Sequence, residues 1–230
     1  MRVHLTECNA GTGRKVAVRR QPYFRRVSTA RLETFADGVF AIAATLLILD
    51  VHADAHGRRL TQALQHSWPQ YAAYAVSFLT IGIIWVNHHA CFDQIGRADR
   101  RFLFINVAFL ACVAFIPFPT HLVAEHLRDG GLRAAAIAYG LTLVATALGF
   151  AALWFYAALG RRLIREDADQ RVVSGISRSY LPGAPSYAAA TLVALWSPTA
   201  AVLLFAAIAL FYVLESSLFG REAPSGVEPL

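Results

Sequence analysis

The chain has 230 residues, of which 57% are hydrophobic and 16% charged, and its formal net charge is +6. Soluble domains carry roughly 25% charged and 45–50% apolar residues, so this composition excludes an ordinary soluble globular protein. The cysteines Cys8, Cys91 and Cys112 form no spaced pair, which argues against a disulfide framework and a structural zinc site.

Six apolar segments predict an all-α polytopic membrane protein with six transmembrane helices. In chain order they cover 32–51, 69–92, 102–124, 133–159, 180–197 and 199–219. Each segment is long enough to cross a hydrocarbon core of about 30 Å as a helix that rises 1.5 Å per residue. Residues 31–220 therefore form the predicted transmembrane domain, between a disordered basic cytoplasmic tail at 1–30 and a disordered tail at 221–230.

The positive charges predict the orientation of the helices. If the N-terminus is inside, 17 of the 21 Lys and Arg residues lie in the tails and loops of the cytoplasmic side. The positive-inside rule then places both termini in the cytoplasm. This distribution explains the basic charge without a nucleic-acid partner, so none is expected.

An acid, Asp37, lies within the first apolar segment. An ionisable group in a membrane costs several kcal/mol unless it is paired or hydrated, so it marks a function or a buried polar network. It lies about 9 Å above Arg31 at a rise of 1.5 Å per residue. The second and third helices bring further polar or amphipathic residues to a similar depth: Trp85, Asn87, His88, His89 and Asn106.

Three interpretations of this polar layer remain open. It is a hydrogen-bonded network that locks three helices together, a gating or proton-sensing element that uses the histidines, or a metal site. Adjacent His88 and His89 point about 100° apart on a helix, so they are poorly placed to share a metal. The layer offers no serine or cysteine nucleophile and no second carboxylate, so we expect neither an enzyme nor a cofactor.

The first helix also carries a stripe of Ile42, Thr45, Leu46 and Leu49 at the i, i+3, i+4, i+7 spacing of one helix face. Asp37 points about 140° away from Ile42, so the acid and the stripe meet different neighbours. Such a stripe is typical of a packing or lipid-facing surface. Only oligomerisation of the chain turns it into the lining of a pore.

Three motifs resemble the bacterial members of the transmembrane protein 175 family, which are potassium-permeable lysosomal and bacterial channels. The first is R-x-x-x-F-A-D-G from residue 31, followed by T-L-L-x-L-D from residue 45. The second is W-V-N-H-H-x-x-F from residue 85, with Asn106 early in the next helix. The third is F-I-P-F-P-T from residue 115. The six-span layout is also similar to that family.

The resemblance implies a homotetramer in the cell (inner) membrane, in which four copies of the first helix surround a pore for potassium and other monovalent cations. It implies that Ile42, Leu46 and Leu49 form a hydrophobic constriction and that Thr45 forms a hydroxyl layer within it. The implied supporting network beside the pore consists of Arg31, Asp37, Trp85, Asn87, His88 and Asn106.

Physical reasoning adds expectations about permeation. Four copies of Asp50 at the outer mouth would raise the local cation concentration. No Thr-Val-Gly-Tyr-Gly filter is present in the sequence, so we expect only a modest preference for potassium. Ala36 stands where the family usually has serine, which removes one hydroxyl from the network and bears on gating.

The alternative function is a proton-coupled secondary transporter that uses Asp37, His88 and His89. In both cases the expected partners are other copies of the chain and membrane lipids.

Overall fold

The computed structural model describes residues 29–52 and 59–219, with side chains described as far as residue 214. The first helix begins at Thr29, slightly before the predicted boundary at residue 31. The rest of the predicted N-terminal tail and the predicted tail at 221–230 lie outside the described residues.

The regular structure of the described residues is helical, as predicted, apart from isolated bridges such as the one between Ile95 and Ile164. The helices, in chain order, are α1 Thr29–Leu46, extended by a 3-10 turn at Leu47–Asp50, α2 Leu60–His66, α3 Trp68–Asp93, α4 Arg100–Phe115, α5 Pro117–His126, α6 Leu132–Ala158, α7 Gln170–Tyr180, α8 Gly183–Val193 and α9 Pro198–Phe219.

Four helical stretches are long and apolar enough to cross a membrane, and they coincide with the first four predicted spans. They are Thr29–Asp50, Trp68–Asp93, Arg100–His126 and Leu132–Arg161. The sixth predicted span corresponds to α9, which contains the shorter apolar stretch Pro198–Leu214. The protein is therefore a multi-pass membrane protein.

The fifth predicted span, 180–197, differs from the structure. Its apolar residues form α8, which has 11 residues and is about 16 Å long at 1.5 Å per residue. That length is about half of a hydrocarbon core. The turn at Leu181 and Pro182 separates α8 from α7, which lies before the predicted span apart from Tyr180.

The third span is broken where its prolines predict it. Helix α4 ends at Phe115, and α5 begins at Pro117 after Ile116, whose backbone remains in the right-handed helical region. A proline is tolerated in the first turn of a helix because its missing amide proton is not needed there. The two helices therefore follow one another as one span that is interrupted at Ile116.

Helix α6 lies at the centre of the subunit and packs against α4, α5, α8 and α9. Small residues on α6 let its neighbours approach closely. A methyl group added to Gly140 would collide with Thr191 of α8 and Phe205 of α9. One added to Gly149 would lie 3.4 Å from the backbone of Phe109 in α4.

We expect Gly140→Ala to destabilise the subunit by about 1–3 kcal/mol, because the added methyl group overpacks the contact among α6, α8 and α9. The measurement is the thermal unfolding midpoint of the purified protein in detergent, which should fall by several degrees. Gly82→Ala on α3 is the matched control, since a methyl group there meets no atom within 4 Å. Equal midpoints for the two variants would contradict the close packing at Gly140.

Candidate functional site

Helix α1 has one face in the core and one face uncovered. The buried face carries Leu32, Ala36, Phe40, Ala43 and Leu47, and it packs against α3 and α4. Ala36, which stands where the family that the motifs resemble usually has serine, is fully buried on this face. A serine there would hold its hydroxyl inside the subunit rather than on the uncovered face.

The predicted stripe lies on the uncovered face of α1. Ile42 is 61% exposed, Leu46 is 42% exposed and Leu49 is 73% exposed. Thr45 is exposed between them, and its hydroxyl donates to the carbonyl of Ala41 or Ile42 in its own helix, at 2.9 and 3.0 Å. Three large apolar side chains and one hydroxyl thus stand together without a covering helix in the single subunit.

Two polar contacts, one helical turn apart, join α1 to the end of α3. The indole Nε1 of Trp85 donates to Asp37 Oδ1 at 2.8 Å. One turn closer to the N-terminus of α1, His89 Nδ1 lies 2.9 Å from Glu33 Oε1. The rings of Trp85 and His89 stack with their centroids 6.2 Å apart. These contacts fix the rotation of α1 against α3 at one end of the membrane.

A separate buried pair joins α3 to α4. His88 Nε2 lies 3.1 Å from Asn106 Oδ1, and both side chains are buried. The imidazole stacks on Phe92 and Phe109 at centroid distances of 4.3 and 5.7 Å, and it meets Phe40 of α1 at 5.5 Å. When the proton of the His88 imidazole is on Nε2, the ring donates this hydrogen bond to the Asn106 side-chain oxygen. Asn106 Nδ2 has no hydrogen-bond partner among the described residues.

A sequence model described as "Endosomal/lysosomal potassium channel TMEM175" matches residues 31–117 of the chain. A potassium channel of Chamaesiphon minutus is 38% identical over 193 residues, which cover 82% of this chain and 95% of that protein. The chain belongs to the TMEM175 family. It is therefore a bacterial member of an ion-channel family and not an enzyme, as the motifs predicted.

Two further likenesses extend the comparison. A potassium channel of Streptomyces collinus is 52% identical over 132 residues, which cover 56% of this chain and 64% of that protein. The crystal structure of a lysosomal potassium-selective TMEM175 homolog from Chamaesiphon minutus aligns with a TM-score of 0.75 at 35% identity. That alignment covers 82% of this chain and 97% of that structure.

The TMEM175 motif residues occupy different places in this subunit. Asp37 and Trp85 form one contact, and His88 and Asn106 form another. Asn87 borders a small cavity among α3, α6 and α8, where its backbone carbonyl accepts from the Tyr180 hydroxyl at 3.2 Å.

Arg31, the first residue of the TMEM175 motif, is exposed in α1. Within the described part of the chain it forms no ion pair with Asp37 or Glu33.

At the opposite end of this TMEM175 subunit, Asp50 is held by histidine. His121 Nδ1 of α5 lies 3.2 Å from Asp50 Oδ1, and its Nε2 lies 3.5 Å from Glu125. The backbone amide of His52 donates to Gln70 Oε1 of α3 at 3.0 Å. The end of α1 is therefore attached to both α3 and α5, and Asp50 is only partly exposed.

Sequence reasoning missed several of these groups. Glu33 could have been predicted from the sequence. It lies one helical turn before Asp37, and His89 lies one turn after Trp85 on the facing helix, so the two pairs have matching spacings. No spacing predicts the buried cluster in which Thr120 donates to Ser77 at 2.9 Å and Ser77 meets the Tyr139 hydroxyl at 3.1 Å. No group of three or more potential metal ligands occurs among the described residues.

Asp99 fixes the loop between α3 and α4 against the end of α6. It caps α4 by accepting from the amide of Phe102 at 2.9 Å, and it accepts from the Tyr156 hydroxyl at 2.8 Å. Partial burial acts to raise the pKa of Asp99, but these hydrogen bonds and the nearby guanidinium of Arg162 outweigh it and lower the pKa below its usual value.

A carboxyl group whose pKa is lowered by folding stabilises the protein above its unfolded pKa, about 3.9, and loses that effect as the pH falls through the folded pKa. We expect Asp99→Asn to lower stability at pH 7 by about 1 kcal/mol, because a neutral amide is a weaker acceptor for Tyr156 and Arg162 than the carboxylate is. Asparagine can still cap α4, so the cap itself is retained. The difference from wild type should shrink below about pH 3.5. Unfolding midpoints at both pH values test this, with exposed Asp93→Asn as the control. A difference that is independent of pH would contradict the assignment.

Proposed function

We propose that the protein is a potassium-permeable cation channel with modest selectivity, in which four subunits place their α1 helices around a central pore. The observation that carries this proposal is the uncovered stripe of Ile42, Thr45, Leu46 and Leu49. Similar chains from Chamaesiphon minutus and Streptomyces collinus are named potassium channels.

The position of α1 supports a central pore. Its buried face is fully occupied by the subunit's own α3 and α4. Its uncovered face combines apolar side chains with Thr45. Asp37 is exposed on a different side of the helix. An exposed acid is costly against lipid but is hydrated readily beside a water-filled path. A fourfold arrangement, with water near the acid, therefore suits the exposed part of α1 better than contact with acyl chains alone.

The stripe provides a closing mechanism. Rings of four Ile42, Leu46 and Leu49 side chains narrow the path until water leaves, and a dewetted segment excludes hydrated ions. Conduction then requires a widening or a rotation of α1. The Asp37–Trp85 and Glu33–His89 contacts oppose such a rotation, so they bias the equilibrium between the closed and open states.

The ring of Thr45 hydroxyls offers few oxygens to a cation. Each hydroxyl proton is already directed at a helix carbonyl, so the oxygen lone pairs are available to a permeating ion. A single hydroxyl layer replaces only part of a hydration shell, and the expected potassium preference is modest. Asp50 near the outer end adds a negative field that concentrates cations.

The proposed subunit keeps six membrane crossings, with α7 and α8 together serving as the fifth. Ser177 and Tyr180 of α7 contact Trp154 near one end of α6, while Thr191 of α8 lies against Gly140 nearer the other end. The two helices therefore run along α6 as one interrupted span. Both termini then lie in the cytoplasm, and the subunit lies in the inner membrane of a bacterium.

Substituted cysteines test the pore. We expect a membrane-impermeant thiol reagent to reduce potassium current by more than half in Leu49→Cys, because a bulky group in the pore obstructs ions. Planar-bilayer recordings under a potassium–sodium gradient provide the current and its reversal potential. Leu141→Cys on α6, 57% exposed, is the control for modification outside the pore, and wild type controls for the native cysteines.

Two results would contradict the proposal. One is an equal effect of the reagent on Leu49→Cys and Leu141→Cys. The other is potassium flux that occurs only with a proton gradient and without channel current, which would favour a proton-coupled transporter acting through Asp37, His88 and His89.

A further inference from the structure

A groove of about 680 Å³ opens between α7 and the second half of α9. It is lined by Gly175, Arg178, Ser179, Leu204, Ile208 and Phe211 among others. Helix α9 packs against α3, α6 and α8, whereas α1 packs against α3, α4 and α5. The groove therefore belongs to a part of the subunit that the proposed pore does not use, and its volume is in the range of sites for small ligands.

The groove lies at the level of the basic loops. Ser177 and Tyr180 contact Trp154, which is four residues from the end of α6 at Ala158. The loop that follows α6 is joined to the loop after α3 through the hydrogen bond from Gly96 to Leu163. In the orientation given by the positive charges this is the cytoplasmic half of the membrane.

Helix α7 is strongly amphipathic. Val173, Ser177 and Tyr180 turn toward the subunit, and Val173 is buried. Arg171 and Arg178 are seven residues apart, so they lie on the same side of the helix, and both are exposed. Exposed arginines at the cytoplasmic end of a span reach the headgroup region, where anionic lipids lie.

The guanidinium of Arg178 has no neutralising partner among the described residues. Two of the three arginines of the preceding loop have such a partner, and the third donates to a neutral side chain. Arg161 donates to Gln170, Arg162 pairs with Asp99 at 3.3 Å, and Arg165 pairs with Asp167 at 2.9 Å. An unpaired positive charge at an apolar groove complements a molecule with a negative head and a hydrocarbon tail.

We propose that this groove binds one anionic phospholipid of the cytoplasmic leaflet per subunit. The lipid phosphate accepts hydrogen bonds from the Arg178 guanidinium, whose planar donors suit two phosphate oxygens at once. One acyl chain lies along Leu204, Ile208 and Phe211 of α9. Because Pro182 and Ser186 also border the groove, the lipid covers the interruption between α7 and α8.

Native mass spectrometry of the full-length protein tests this site. The probe is phosphatidylglycerol added to protein stripped of lipid, with phosphatidylcholine added in a parallel arm. We expect wild type to retain one phosphatidylglycerol per subunit in preference to phosphatidylcholine. Arg178→Gln should weaken that binding about tenfold, the effect of losing a charge-assisted hydrogen bond. Arg101→Gln, an exposed arginine at the start of α4, is the matched control.

A second variant separates the apolar part of the site from its charge. Gly175→Leu places a side chain in open space, because no atom lies within 4 Å of an added methyl group there. It should therefore fold normally and reduce binding of both lipids. Inorganic phosphate at millimolar concentration should not displace the lipid, since it cannot occupy the apolar part of the groove. Equal phosphatidylglycerol retention in wild type, Arg178→Gln and Gly175→Leu would overturn the proposal.

Discussion

Replacing two residues of the stripe, Ile42→Asn together with Leu46→Asn, is expected to raise the resting potassium current at least tenfold. Each substitution puts four amides where four branched apolar side chains exclude water. Water then remains in the narrow segment, and the barrier to a hydrated ion falls. A barrier lower by about 1.4 kcal/mol is sufficient for a tenfold increase. Single-channel recordings in planar bilayers distinguish a larger unit current from a longer open time.

The matched control for this double variant is Leu141→Asn with Leu148→Asn. These leucines lie on α6, are 57% and 55% exposed, and are therefore as uncovered as the stripe of α1. The control imposes a similar polarity change on a surface outside the proposed pore, and its current should equal that of wild type. If both double variants changed the current equally, a general effect on the membrane domain would explain the result and the stripe would lose its assignment as the constriction.

The sequence predicted most of the fold because long apolar segments have few alternatives in a membrane. The first four spans and the break at Pro117 follow from segment length and from the missing amide of proline. The fifth span was less predictable. Its apolar residues form a helix only over Gly183–Val193, and the polar residues before Pro182 form a separate helix, α7, that ends at Tyr180.

The polar layer shows what depth alone leaves undetermined. Trp85 and His89 are four residues apart, about 40° around the axis, so they meet the two acids of α1 together. His88 is about 100° from His89 and therefore turns to Asn106 on α4. A prediction based on depth grouped all of these residues, whereas helix rotation separates them into two sets. The partner of Asp50, His121, is remote in sequence and is brought near only by the packing of α5.

Asn106→Leu is expected to destabilise the protein by about 2 kcal/mol, because it leaves His88 Nε2 buried without an acceptor. A buried polar group that loses its partner costs about 1–3 kcal/mol. The imidazole of His88 cannot rotate easily toward another acceptor, since its ring is in contact with the rings of Phe92, Phe109 and Phe40. Thermal unfolding of the purified protein in detergent measures the loss.

The double variant His88→Phe with Asn106→Leu distinguishes a lost hydrogen bond from poor packing. It removes both polar groups, and a ring still fills the space among the three phenylalanines. We expect it to be more stable than Asn106→Leu alone, with a coupling energy of about 1 kcal/mol or more between the two positions. Additive losses would show that the His88–Asn106 contact contributes no specific energy. A stable double variant with an altered channel open time would show that this contact acts on gating. Among the ring contacts of His88, the one with Phe40 connects the pair to α1.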